Sequence, residues 1–135
     1  MQKHIHASDS LRQEIRHHLK AYNSKFKEVQ EDVSIVLDER DDSGKLIGGI
    51  ACTIVGLWLE IDYMWVDSSQ RYKGLGSQLL IEAEAEAIRR GCKYATLFTC
   101  SFQARPFYEK HGYELVYVQK HYPVNNIKYH MTKTL

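Results

Sequence analysis

Hydrophobic and polar positions along the chain fall into stretches of two different periods. Leu11, Ile15, Leu19 and Tyr22 recur near helical spacing behind Ser8 or Asp9 as a cap, which predicts a helix running to about Phe26. The preceding "KHIHA" has the make-up of a short strand. "EDVSIVLDER" and "LIGGIACTIVG" read as strands, and the Asp and Gly of "DDSGK" between them make a tight turn, hence a hairpin. In "LWLEIDYMWVD", Leu57, Leu59, Ile61, Tyr63 and Trp65 alternate with Trp58, Glu60, Asp62, Met64 and Val66, which predicts a strand with both faces at least half buried.

From Leu75 the period changes. Leu75, Leu79, Leu80, Ala83 and Ala87 fall in a stripe about 140° wide on a helical wheel, with Gln78, Glu82 and Arg89 away from it, so an amphipathic helix closed by Gly91 is expected. "KYATLFTC" then reads as a strand, "QARPFYEKHG" as a short helix with Pro106 in its first turn, and "YELVYVQ" and "IKYHMTK" as two more strands. The order of elements gives an α/β (α+β) chain, and no linker, repeat or low-complexity stretch divides residues 1–135 into more than one domain.

Composition narrows the partners. The 135 residues carry a formal net charge of +1, so no broad basic surface for nucleic acid is expected. No apolar run reaches the length that spans a bilayer and no leader is recognisable, which points to the cytoplasm and away from membranes. Cys52, Cys92 and Cys100 are odd in number and far apart, and read as small buried apolar residues rather than a disulfide frame or a zinc site. His4, His6, His17 and His18 lack acidic or thiol ligands at a recognisable offset, so no metal is expected.

The stretch "DYMWVDSSQRYKGLGSQLLIEAEAEAIRRG" sets a strand, then Arg-x-x-Gly-x-Gly, then a helix. The first N–H groups of a helix lack intrahelical partners and sit at the positive end of its dipole, so such a loop suits an anion. A plain tight connection is the other reading. The spacing excludes a P-loop, which needs Gly-Lys-Ser/Thr, and a dinucleotide fingerprint, which needs a third glycine.

"VDSSQRYKGLGSQLL" resembles the acetyl-coenzyme A motif of the GCN5-related N-acetyltransferases, Gln/Arg-x-x-Gly-x-Gly/Ala, and "ARPFYEKHGYE" resembles their second signature. The resemblance covers most of the chain and is weakest before residue 30 and after 118. It implies a mixed, mostly antiparallel sheet of six to seven strands flanked by helices, with a splayed strand pair that holds acetyl-CoA. It implies further that Arg71, Tyr72, Lys73, Gly74, Leu75, Gly76 and Ser77 receive the pyrophosphate. Met64, Trp65 and Val66 then line the pantetheine arm, with an N–H near Met64 or Trp65 polarising the acetyl carbonyl. Ser101 stands where many members carry an asparagine, and the resemblance implies that its hydroxyl keeps one hydrogen bond to that arm or to a bridging water.

Acetyl transfer needs a base for the amine, a held oxyanion and a proton for the leaving thiolate. By the resemblance Tyr108 is the proton donor. Asp62 and Glu60, two apart on one strand, are the candidate bases, with Asp62 the nearer, and a water chain is the alternative. Tyr22, His121 and Tyr122 are expected near the acceptor entrance. The implied activity is transfer to a primary amine of a small molecule. A protein N-terminus or lysine as acceptor, and a non-catalytic acyl-CoA sensor, are the other readings. The family also suggests a homodimer through the strands at residues 113–119 and 129–132.

Overall fold

The computed structural model describes residues 1–26, 28 and 31–135. They form two compact units, residues 1–30 and 31–135. The first holds helix α1, Asp9–Asn23. Ser8 is its N-cap residue, but the Ser8 hydroxyl bonds to that of Ser10 at 2.7 Å and makes no cap bond. The helix stops three residues short of Phe26 because the N–H groups of Lys25 and Phe26 turn back to Tyr22 and Asn23. "KHIHA" is no strand: its residues form no ladder and His6 takes φ +55°.

The second unit is a six-stranded sheet. Its strands are β1 (Val33–Arg40), β2 (Leu46–Val55), β3 (Trp58–Val66), β4 (Tyr94–Cys100), β5 (Glu114–Lys120) and β6 (Ile127–Thr134), laid side by side in the order β1-β2-β3-β4-β6-β5. All neighbours are antiparallel except β3 and β4. The β1–β2 hairpin closes as the sequence suggests: the Asp41 carboxylate accepts the N–H groups of Ser43 and Lys45 at 2.9 and 3.0 Å, and Gly44 takes φ +86°.

Helix α2 (Leu75–Arg89) connects the parallel strands, packs over β1, β2 and β3, and buries Leu79, Leu80, Ala83 and Ala87 against the sheet, as its stripe predicts. It also buries Glu84, which the stripe does not anticipate. One oxygen of Glu84 accepts the Tyr113 hydroxyl at 2.9 Å and the other accepts Lys133 Nζ at 2.7 Å, so the buried carboxylate is fully paired. Helix α3 (Arg105–Lys110) packs Phe107 and Tyr108 on the same side. The core therefore lies on one face of the sheet, among Ile50, Cys52, Leu59, Ile61, Ala95, Leu97 and Met131.

Strand β3 corrects the simple alternation. Ile61 pairs with Cys52 and Tyr63 with Ala51, so Asp62 is an extra residue with no partner on β2. This bulge inverts the facing of everything after it. Met64 and Val66 join Leu59 and Ile61 toward the core, while Tyr63 and Trp65 turn outward. The outer face is not half buried throughout: Tyr63 is 78% exposed, though Trp65, 48% exposed, is just over half covered.

Candidate active site

Beyond the bulge the sheet opens. β3 and β4 are in register only from Trp58↔Tyr94 to Ile61↔Leu97, although β3 continues to Val66 and β4 to Cys100. Met64, Trp65 and Val66 keep their pairing with β2, so their backbone groups on the β4 side have no ladder partner. A bulge raises local twist, and here it sits where the two strands part. The gap is a cleft of about 450 Å³ lined by Glu60, Ile61, Asp62 and Tyr63 from β3 and by Thr96, Leu97 and Phe98 from β4.

The loop after β3 is fixed at its start. The Asp67 N–H donates to Ile47 O at 2.9 Å, and the Asp67 carboxylate accepts the Ser69 N–H at 3.0 Å and the Ser69 hydroxyl. Those bonds hold the Asp67 carboxyl below the usual range. Tyr72, at φ +64°, and Gly74, at φ +86°, then turn the chain into α2.

The two motif glycines serve different ends. A Cβ on Gly74 would meet nothing within 4 Å, so glycine is needed there for its left-handed backbone. At Gly76 a Cβ would come to 3.0 Å from Met64 Cε and 3.6 Å from the Phe107 ring, so glycine lets the helix pack closely on the splayed strand. No N–H of Gly74, Leu75, Gly76 or Ser77 has a hydrogen-bond partner among the described residues. Four unpaired donors at the positive end of a 15-residue helix, with Arg71 and Lys73 exposed beside them, are an arrangement that could hold an anion.

Tyr108 is buried in the core, its ring edge-on to Phe107 and Tyr113, and its hydroxyl points at Met64 Sδ, 3.9 Å away. Burial, and secondarily Cys52, push its phenol above the ordinary tyrosine value. Cys52 is itself pushed up to about 12 by burial and then by Asp62, so it is an inert thiol.

Glu60 and Asp62 are on the other side of the sheet, in the cleft. Asp62 accepts the Thr53 hydroxyl at 2.7 Å. Burial, then Asp62, then Asp32 raise the Glu60 carboxyl above its usual range. Neither Glu60 nor Asp62 forms an ion pair among the described residues. The proton-donating candidate and the proton-accepting candidates thus approach the strand opening from opposite faces.

Residues 4–113 match the acetyltransferase (GNAT) family. The chain belongs to that family. It is 37% identical over 95 residues to a blasticidin-S acetyltransferase of Streptomyces morookaense, covering 70% of each chain. The crystal structure of an acetyltransferase from Bacillus cereus superposes with a TM-score of 0.85 at 36% identity, over 98% of both chains. A GNAT family acetyltransferase from Elizabethkingia anophelis with acetyl-CoA bound shares the fold at a TM-score of 0.64 and 18% identity, over 76% of each chain.

Within this GNAT fold the residues anticipated from sequence do not all meet. Arg71 through Ser77 form one cluster, Met64 and Tyr108 touch, and Glu60 and Asp62 share the cleft. The Ser101 hydroxyl has another occupation: it donates to Asn126 Oδ1 and accepts the Ile127 N–H, both at 3.1 Å, tying the end of β4 to the start of β6. Trp65 turns to the outer face, so of its groups only the backbone borders the opening. Tyr22 lies in the N-terminal unit, and His121 and Tyr122 are exposed between β5 and β6.

Three residues escaped the sequence reading. Gly48 would bring a Cβ to 2.8 Å from Leu75 Cδ2, so its bareness lets α2 begin close to β2. Thr53 holds Asp62, and the β2–β3 pairing that joins them was readable once the bulge is known. His111, at an unspecified position of the second motif, lies 2.9 Å from the Ser77 hydroxyl.

Proposed function

We propose that this acetyltransferase moves the acetyl group of acetyl-CoA to a primary amine of a small molecule by direct attack, as one domain spanning residues 1–135. The observation that carries the reading is the continuity between two unsatisfied sets of backbone groups: the free edge of Met64–Val66 and the free N–H groups of Gly74–Ser77. A phosphorylated arm with amides along its length fits both, pairing like a strand with the first and placing its pyrophosphate on the second.

Asp62, or a water held by it, takes the proton of the incoming ammonium, with Glu60 adding negative charge that draws the cation into the cleft. The neutral nitrogen forms a bond to the thioester carbonyl carbon, and a backbone N–H near Met64 or Trp65 holds the oxyanion. The added nitrogen releases its surplus proton to water, collapse breaks the carbon–sulfur bond, and Tyr108 gives its proton to the leaving thiolate and regains one from solvent. The raised phenol pKa keeps Tyr108 protonated before the transfer. The likeness to a blasticidin-S acetyltransferase and the 450 Å³ size of the cleft support a small acceptor. Pairing of two copies through the late strands fits the exposed Val116 and Tyr117 on β5, which ends the sheet.

The test is release of free thiol from acetyl-CoA across a panel of small amines and short peptides, with Tyr108→Phe alongside. Turnover on small amines that falls about 10²-fold or more in the variant supports the reading. Equal turnover removes the donor, and turnover on peptides alone removes the small acceptor.

A further inference from the structure

His111 is bound from two sides. As the residue after α3, its backbone N–H donates to Tyr108 O at 3.0 Å. Its ring lies 4.7 Å from that of Phe107, the same ring that borders Gly76. Packing on Phe107 aims Nε2 at the Ser77 hydroxyl, 2.9 Å away across a partly buried gap. Ser77 is the third residue of α2, and its own N–H is one of the four unpaired donors.

One proton bridges that gap, and its ownership decides what Ser77 offers an anion. If the serine donates to Nε2, the oxygen facing the cradle has only lone pairs, which a phosphate oxygen repels. If Nε2–H donates to the serine, the hydroxyl proton is free to point at the phosphate. A bound pyrophosphate selects the second state. We infer that His111 is a positioning residue for the cosubstrate: its Nε2–H turns the Ser77 hydroxyl into a fifth donor at the start of α2. The inference rests on the reading of that helix start as the coenzyme A cradle.

Calorimetric titration with coenzyme A tests it. His111→Leu is expected to weaken binding about tenfold, the scale of one hydrogen bond to a charged group. Ser77→Ala is expected to lose about as much, and the double variant no more than either alone, because His111 acts on the anion only by orienting the Ser77 hydroxyl. His111→Gln, whose amide N–H₂ reaches toward the place of Nε2, is expected to stay within about threefold of the original chain. In turnover the His111→Leu variant raises KM for acetyl-CoA while KM for the amine moves less than about twofold, a split that a loosened fold would not give.

If the original chain does not bind coenzyme A, the cradle itself is wrong. If it binds and His111→Leu binds as well, or His111→Gln loses as much as His111→Leu, or the two losses add in the double variant, the cradle stands and the role of His111 falls. Should melting curves show that His111→Leu does not fold, Ser77→Ala and His111→Gln decide: a loss in the first with retention in the second upholds the inference, and any other pair of results overturns it.

Discussion

The two faces of the sheet are built on opposite terms. The face under α2 is closed: Leu59, Leu80, Ala83, Ala87, Ala95 and Met131 are fully buried, and its one acidic side chain, Glu84, is met by Tyr113 and Lys133. Neither α2 nor α3 covers the other face, where Tyr63, Trp65, Phe98 and Tyr117 are exposed and Glu60 and Asp62 have no cationic partner among the described residues. Among the described residues Asp62 meets only the Thr53 hydroxyl and no cation, whereas the paired Glu84 carboxylate in the core holds α2 to β6. The difference teaches where to look for chemistry: charge that the fold has not neutralised is left for a substrate.

If that contrast is right, removing the two kinds of carboxylate has opposite consequences. The largest effect is expected at Glu84→Ala, which leaves Lys133 without its anion and the Tyr113 hydroxyl without an acceptor. Unfolding in urea should show a loss of about 3–5 kcal/mol. A loss below about 1 kcal/mol would mean that the network is incidental. On the other face, Asp62→Asn should lower kcat/KM by about 10²-fold with little change in melting midpoint, and a protein that melts early instead would make Asp62 structural.

A smaller effect of the other sign is expected at Glu60→Gln. Because the folded chain raises the Glu60 carboxyl above its unfolded value, its ionised form weakens the fold, and the weakening fades as pH falls through the raised value toward the ordinary one. The variant should therefore melt slightly higher at pH 7 and match the original below about pH 4. A lower midpoint at neutral pH would show that the carboxylate is paired after all. Last comes an effect expected to be nil: with the Tyr108 phenol pushed up by burial, kcat should not decline on the alkaline side until above pH ~10. A decline near pH 8 would assign the donor elsewhere.

Much of this was legible in the chain. The α2 stripe, the hairpin turn at Asp41–Lys45 and the succession of elements along residues 31–135 follow from period and turn residues, because each is a local consequence of which side chains must face a core. The Arg-x-x-Gly-x-Gly loop by itself suited an anion or a plain tight connection, and only the resemblance of its residues to a known motif chose between them. The bulge at Asp62 was not legible. Strict alternation continues through Tyr63 and Trp65, and only the pairing with Ala51 and Cys52 reveals the extra residue. The same blindness hid Thr53, His111 and the true partners of Ser101, all of which act across distances in sequence that no spacing rule spans.

The central claim is that the strand opening and the start of α2 hold one ligand between the two faces. A crystal structure with coenzyme A bound tests it most directly. The account predicts the pyrophosphate on the N–H groups of Gly74–Ser77, the pantetheine arm paired with Met64–Val66, and the thiol between Tyr108 and the Glu60–Asp62 cleft. Coenzyme A seated elsewhere, or a thiol closed off from that cleft by the sheet, would contradict it.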